Sequence, residues 1–180
     1  KVGDAAVSLG NRAMMEAMGL DTQPLREQAD ALRTEGKTAM FVAVDGKLAG
    51  IVAVADPVKA TTAEAIRALH ESGLKIIMAT GDNALTAKAV ADRLGIDAVR
   101  ADMLPESKKA LVDELRAAGA SVAMAGDGVN DAPALAAADV GIAMGTGADV
   151  AVESAGITLV KGDLNGIVRA RLLAKATIRN

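Results

Sequence analysis

From Leu74 onward, short apolar runs alternate with segments of helical periodicity, and this alternation restricts the chain to few folds. The pattern is typical of βαβ units, in which helices connect parallel strands. Strands covered by helices on both faces are expected to be continuously apolar, as these runs mostly are. We therefore predict a doubly wound parallel α/β sheet. Its predicted strands are Leu74 to Ala79, Ala98 to Ala101, Ser121 to Ala125, Val140 to Ala143 and Ile157 to Val160.

Capping residues mark the helices between these strands. Threonine at a helix start can accept hydrogen bonds from backbone N–H groups, and glycine adopts the left-handed conformation that ends many helices. Proline is favoured in the first turn. The predicted helices are one capped by Thr61 and Thr62 that runs through Leu69 to Gly73, one from Ala84 to Leu94 before Gly95, and one opened by Pro105 and closed by Gly119.

The first part of the chain follows a different pattern. Two apolar runs, Ala39 to Val44 and Lys47 to Val54, flank the pair Asp45-Gly46 without a crossover helix between them. An Asp-Gly pair between such runs predicts a β-hairpin with a type I′ turn. We place a domain boundary near Asp56-Pro57, so that residues 1–55 form part of a smaller α+β domain and residues 56–180 form the α/β domain.

Composition excludes several classes of function. The chain is 51% apolar and 24% charged with a net charge of −3, which is typical of a globular protein. Phe41 is the sole aromatic residue, so the chain has no aromatic platform on which bases could stack. Its net negative charge does not favour a phosphate backbone, and we therefore expect no nucleic-acid partner. Zero cysteines exclude disulfides and thiolate metal sites. Charged residues interrupt every apolar run before the roughly 18 residues that a membrane helix needs.

Two carboxylates follow the predicted strand Ser121 to Ala125. The run Gly126-Asp127-Gly128-Val129-Asn130-Asp131 lies between that strand and a helix. Ligands of open parallel sheets bind beyond the carboxyl ends of strands, and paired carboxylates there suit Mg²⁺. The alternative is an ordinary turn in which Asp131 caps the next helix, and this run by itself leaves both interpretations open.

Two further junctions between strand and helix carry polar groups. Thr80-Gly81-Asp82 offers a hydroxyl, an unhindered N–H group and a helix start, which suit phosphoryl oxygens. Lys108, in the run that Pro105 begins, can neutralise charge on a transferring phosphoryl group. An ordinary turn and an exposed lysine are the alternatives. The three junctions together favour a functional site.

These segments resemble the later motifs of the haloacid dehalogenase superfamily. The runs Met124 to Leu135 and Gly141 to Gly147 are also similar to heavy-metal P-type ATPases, especially the copper-exporting group, and Val7 to Asn11 is similar to their nucleotide-binding domain. The resemblance implies that Asp127 and Asp131 bind Mg²⁺ with support from Asn130, that Lys108, Thr80, Gly81 and Asp82 hold the phosphoryl group, and that Asn11 contacts ATP.

The resemblance further implies a fragment of an ATP-driven copper exporter that transfers phosphate from ATP to an upstream aspartate and hydrolyses the product. Its partners would be ATP, Mg²⁺, the membrane helices, the actuator domain and the upstream nucleotide-binding segment. The parent would lie in a membrane, with this part on its cytoplasmic face and soluble by itself. A stand-alone phosphatase of the same superfamily and a noncatalytic nucleotide-binding or pump-associated module remain alternatives.

Two departures from that family shape our expectations. The chain contains neither an Asp-Lys-Thr-Gly run nor a His-Pro pair, so we expect it to be inactive alone. The first, central strand of the parallel sheet would also be missing. We predict that another segment fills this gap, that water fills it, or that the gap makes the fold marginally stable. His70 stands alone on a predicted helix, and we expect it to be solvated.

Overall fold

A computed structural model describes residues 1–55, 57–126, 129–145, 155–160 and 162–178. The chain divides into two compact units. The first contains Lys1–Val58 and Asp82–Arg93, and the second contains Lys59–Gly81 and Leu94–Asn180. The predicted boundary near Asp56-Pro57 remains a prediction, and Asp56 itself lies outside the described residues.

The described residues form strands and helices in alternation along much of the chain. The strands are β1 Val7–Gly10, β2 Thr38–Val44, β3 Lys47–Val54, β4 Ile77–Ala79, β5 Ala98–Arg100, β6 Ala123–Gly126, β7 Val140–Met144 and β8 Ile157–Leu159. The helices are α1 Arg12–Ala17, α2 Arg26–Thr34, α3 Thr62–Glu71, α4 Ala84–Leu94, α5 Pro105–Ala117, α6 Ala132–Ala137 and α7 Asn165–Ile178, with 3-10 turns at Gln23–Leu25 and Val129–Asp131. In this part of the chain, no helix is both long enough and apolar enough to cross a bilayer.

The first unit is built on an antiparallel sheet in the order β1-β2-β3. Asp45 and Gly46, between β2 and β3, have φ angles of 48° and 74°. Positive φ at both central residues is what a type I′ turn requires, so the predicted hairpin is confirmed. Helices α1 and α2 cover one face of the sheet. The buried core there consists of Met15, Ala29, Ala39, Phe41 and Ala43.

The second unit contains parallel strands in two separate sheets. Strand β4 pairs with β5, and β6, β7 and β8 pair in that order. The predicted α/β fold class with parallel strands is confirmed. Among the described residues, β4 and β6 each have one strand neighbour and are not hydrogen-bonded to each other. The expectation of a missing central strand is compatible with this division, and the filling of the gap remains a prediction.

Most element positions match the sequence prediction, but β4 begins at Ile77 rather than Leu74. The reason is local, because the N–H group of Leu74 closes the end of α3 by donating to the Leu69 carbonyl at 3.2 Å. The N–H group of Ile76 donates to the Asp97 carboxylate at 2.6 Å. Both N–H groups are therefore already hydrogen-bonded outside the sheet, and strand pairing begins only at Ile77.

Two smaller expectations were wrong. The Thr61 side chain makes no capping hydrogen bond to α3, and its hydroxyl instead donates to Asp163 Oδ1 at 3.3 Å. His70 is not simply solvated, because its Nε2 lies 2.9 Å from Asp97 Oδ2. In both cases the partner lies far along the chain, so local sequence gave no sign of it.

Candidate functional site

An ion pair lies where β6 leads into α6. Lys108 is in the first turn of α5, which Pro105 begins, and its Nζ is 2.7 Å from Asp131 Oδ1. The two side chains are 19% and 9% exposed. A charge-assisted hydrogen bond at this distance is strong, and removing either partner would leave the other charge poorly compensated. The structure therefore brings together two of the predicted site residues.

Gly126, the last residue of β6, makes room for this carboxylate. A Cβ atom built on Gly126 would lie 2.6 Å from Asp131 Oδ2, far inside van der Waals contact. Gly126 is thus required for close approach and not for flexibility, a role that the sequence reasoning missed. The available signal was a glycine at the end of a strand, five positions before a candidate ligand.

Part of the predicted magnesium site lies outside the described residues. Asp127 and Gly128 fall there, whereas Asn130 is exposed in the turn Val129–Asp131. No group of three or more His, Cys, Asp or Glu side chains that could hold a metal occurs within the described ranges. The available donors still suit Mg²⁺, because carboxylate and amide oxygens are hard ligands. Asp131 also keeps Oδ2 beside Gly126 while Oδ1 binds Lys108.

The predicted phosphate cradle divides between the two units. Thr80 follows β4, where its N–H group donates to the Arg100 carbonyl at 2.9 Å and its carbonyl accepts from Met103 at 3.0 Å. Gly81 lies beside it, also in the second unit. Asp82 belongs to the first unit, where its Oδ1 accepts a hydrogen bond of 3.1 Å from the Thr38 hydroxyl. The cradle itself remains a prediction.

Asn11, the predicted nucleotide contact, caps helix α1 in the first unit. Its Oδ1 accepts a hydrogen bond of 2.9 Å from the N–H group of Met14, and its backbone is extended, with φ of −78° and ψ of 177°. A Cβ atom added at the neighbouring Gly10 would overlap Met14 Sδ, which belongs to a flexible and partly exposed side chain that can turn away. The capping hydrogen bond is accepted by the single oxygen of the carboxamide, and the contact with ATP remains a prediction.

Among the acidic groups of the described residues, Asp97 is the one whose pKa departs clearly from its ordinary value. The hydrogen bond from the Ile76 N–H group is the main cause that lowers the pKa of Asp97, and the hydrogen bond with His70 adds to it. This carboxylate precedes β5 and joins the ends of α3 and β4. It stabilises the second unit and lies outside the set of predicted site residues.

A family model described as haloacid dehalogenase-like hydrolase matches residues 3–139. The chain belongs to this family. The match includes the segments that contain Thr80, Lys108 and Asp131. Membership of the haloacid dehalogenase-like hydrolases confirms the superfamily that these segments predicted.

Individual relatives within these haloacid dehalogenase-like proteins are P-type ATPases. The chain is 74% identical over 174 residues to a copper-transporting P-type ATPase of Rhizobium leguminosarum bv. viciae, a match that covers 97% of this chain and 21% of that protein. The predicted resemblance to heavy-metal P-type ATPases is confirmed. The chain therefore spans about a fifth of the length of such relatives.

Solved structures give the same result. A zinc-transporting PIB-type ATPase in the E2.Pi state is 36% identical with a TM-score of 0.73, and the match covers 99% of this chain and 28% of that one. A structure on conformational changes in the catalytic domain of the CPx-ATPase CopB-B upon nucleotide binding is 34% identical with a TM-score of 0.60. That match covers 73% of this chain and 52% of the other.

Proposed function

We propose that this chain is part of an ATP-driven, copper-exporting P-type ATPase. The observation that carries the proposal is the 74% identity, over 97% of the chain, with a protein named as a copper-transporting P-type ATPase. Copper is favoured over zinc because the structure named as a zinc transporter is only 36% identical. The parent protein would transfer a phosphoryl group from ATP to an aspartate that precedes Lys1, and would then hydrolyse the phosphoenzyme.

In this reaction the protein acts mainly by positioning and by neutralising charge. The Lys108 ammonium group, oriented by Asp131 at 2.7 Å, would stabilise the charge that develops on phosphoryl oxygens. The Thr80 hydroxyl and the Gly81 N–H group would donate hydrogen bonds to the same oxygens, and Asp82 would complete the cradle. A single nucleophile is needed, and it lies outside this chain.

Asp127 and Asp131 would hold Mg²⁺ with support from Asn130, because carboxylates at the end of β6 provide the oxygen ligands that this cation prefers. When bound, Mg²⁺ would supply positive charge that offsets the negative charge of the phosphoryl group. Asp131 would then interact with two cations, because its Oδ1 already accepts the hydrogen bond from Lys108.

The remaining assignments follow from the same parent protein. Asn11 would contact ATP with the part of its carboxamide that does not cap α1. The partners would be the membrane helices, the actuator domain and the upstream nucleotide-binding segment, with this chain on the cytoplasmic face of the membrane. By itself the chain would form no phosphoenzyme, since it has no Asp-Lys-Thr-Gly run.

Adjacent lysines on α5 provide a matched test in the full-length pump. Lys108 pairs with the buried Asp131, whereas Lys109 pairs with Asp113 on the helix surface, where the two side chains are 51% and 50% exposed. We expect Lys108→Ala to slow formation of the phosphoenzyme from ATP by about 10²-fold or more, and Lys109→Ala to leave it near the parent rate. The measurement is incorporation of ³²P in the presence of copper.

Equal rates for the two lysine variants would contradict the role of Lys108. Asp127→Ala tests the metal assignment in the same assay, because phosphorylation with an unchanged Mg²⁺ dependence would refute it. A parent protein that forms no acid-stable phosphoenzyme, or one that zinc stimulates and copper does not, would overturn the wider proposal.

A further inference from the structure

Helix α4 belongs to a different unit from the strands that precede and follow it in sequence. Strands β4 and β5 are in the second unit, whereas Asp82–Arg93, which includes nearly all of α4, is in the first. The chain therefore enters the first unit at Asp82, the last residue of the predicted phosphate cradle. The contacts that hold this segment within the first unit determine where the Asp82 carboxylate lies.

Two side-chain hydrogen bonds hold the start of this segment. The Thr86 hydroxyl is buried and donates to the Lys37 carbonyl at 2.9 Å. The Thr38 hydroxyl donates to Asp82 Oδ1 at 3.1 Å. The partners are 49 and 44 positions apart along the chain, so both bonds depend on the tertiary fold and not on local helix capping.

Lys37 and Thr38 are themselves fixed by regular structure. Gly36, with a φ of 81°, closes the end of α2, and the N–H group of Lys37 donates to the Leu32 carbonyl at 3.2 Å. This Schellman arrangement satisfies the last carbonyl groups of the helix and sets the path of the chain into β2. Thr38 then begins β2, the central strand of the sheet, where it pairs with Val54. The position of the Thr38 hydroxyl is therefore set by the sheet and by the end of α2.

The start of α4 has a cap of its own. Asn83 Oδ1 accepts a hydrogen bond of 2.9 Å from the N–H group of Leu85, and the Asn83 carbonyl accepts one of 2.9 Å from Ala87. Asparagine is among the residues that cap helix starts best. Loss of the Thr38 hydroxyl would thus leave the helix start capped while it frees the Asp82 carboxylate to rotate. A positioning role of Thr38 can therefore be separated from a structural one.

The residue that holds Asp82 lies at the same end of the sheet as the proposed nucleotide contact. Asn11 directly follows β1, and Gly10, the last residue of β1, pairs with Phe41 of the antiparallel β2. Because antiparallel strands run in opposite directions, the end of β1 and the beginning of β2 meet at one end of the sheet. That end of the first unit therefore carries both Asn11 and Thr38.

We propose that Thr38 is a positioning residue for phosphoryl transfer, and that it acts by holding the Asp82 carboxylate in the orientation that the phosphate cradle requires. This inference rests on the proposed function, in which Asp82 completes that cradle. A hydroxyl that binds one carboxylate oxygen limits the rotation of the carboxylate, and the rate of a transfer reaction depends steeply on the placement of such groups. Thr38 would therefore affect the rate of phosphoryl transfer more than the affinity for ATP.

Removal of single hydroxyl groups in the full-length pump tests the proposal. Thr38→Val removes the hydroxyl with little change of shape, and valine is favoured in strands, so this variant is expected to fold. Thr38→Ser keeps the hydroxyl. Thr34→Val is the matched control, because the exposed Thr34 hydroxyl donates to the Asp30 and Ala31 carbonyls of its own helix α2.

Phosphoenzyme formation from ³²P-labelled ATP is measured by rapid quench over a range of ATP concentrations, in the presence of copper. We expect Thr38→Val to lower the maximal rate by about 3- to 10-fold, as for one lost hydrogen bond, with a half-saturating ATP concentration within about twofold of the parent value. Thr38→Ser and Thr34→Val should both remain near the parent rate. In an Asp82→Ala background, followed to longer times, Thr38→Val should cause no further decrease, because its partner is already missing.

A maximal rate that Thr38→Val leaves unchanged, or that Thr38→Ser fails to restore, would overturn the proposal. So would a change confined to the ATP concentration for half-saturation, or an equal effect of Thr38→Val with and without Asp82. Each of these results leaves the proposed function intact, because the parent pump still forms a phosphoenzyme. A parent pump that forms none would overturn the proposed function itself.

Discussion

A glycine controls the position of the carboxylate at the centre of the candidate site. In Gly126→Ala the new methyl group would lie 2.6 Å from Asp131 Oδ2, so the carboxylate or the strand must move. We expect a loss of about 1–3 kcal/mol in the free energy of unfolding, typical of overpacking. Gly50→Ala is the control, since open space surrounds that position, and it is expected to stabilise β3 slightly. Urea unfolding, followed for each variant by a probe in the same sheet as the substitution, measures the difference, and equal effects would contradict the steric role of Gly126.

Residue types were more predictable than residue contacts. Lys108 and Asp131 were each identified from the sequence, but the ion pair between them was not, because 23 positions separate them and only the fold brings them to 2.7 Å. His70 was expected to be solvated for the same reason. Its partner Asp97 is 27 positions away, beyond the reach of any helical or strand periodicity.

At the scale of the elements, hydrogen bonds to two aspartates fix the positions at which two pairs of parallel strands begin. Asp97 precedes β5 and accepts a hydrogen bond from the residue before β4, and Asp139 precedes β7 and accepts one of 2.8 Å from Val122, the residue before β6. Each aspartate also contacts a basic side chain, His70 or Arg116. Apolar runs therefore predicted which segments become strands, whereas long-range side-chain contacts set their first residues.

The Asp97 contact makes a prediction for acid stability. Hydrogen bonds from Ile76 and His70 lower the pKa of Asp97 below its ordinary value of 3.8, so the folded state favours the carboxylate. A depressed pKa contributes stability that is fully present above the unfolded value and is lost as the pH falls through the folded value. The stability difference between the parent chain and Asp97→Asn should thus be present at neutral pH and should shrink below about pH 4.

Thermal unfolding between pH 3 and pH 7 measures this difference. Asp92→Asn is a suitable control, since Asp92 pairs with Lys88 on the exposed surface of α4, where the side chains are 65% and 70% exposed. We expect little change in melting temperature for that variant at any pH. A difference for Asp97→Asn that grows as the pH falls would show that the sign of the linkage is wrong.

At the scale of the whole molecule, the division of the parallel strands into two sheets is the main feature. The order of the strands along the chain predicted one parallel sheet, and the resemblance to P-type ATPases implied that its central strand is missing, whereas the structure has β4-β5 separate from β6-β7-β8. The fold class was predictable because apolar runs and helix caps are local signals. A missing central strand would account for the separation, and it remains a prediction that only the resemblance to P-type ATPases made.

Unpaired edges of this kind have a measurable consequence. The N–H and C=O groups on the open sides of β4 and β6 must be hydrated or paired, and water cannot couple two sheets as a shared strand does. We expect urea unfolding of the 180-residue chain to be broad, with probes on β4 and β6 that do not coincide. A longer form that includes the upstream strand should unfold in one steeper transition, because a single sheet exposes more surface at once. Coincident, steep transitions of the 180-residue chain would mean that the two sheets are already coupled without that strand.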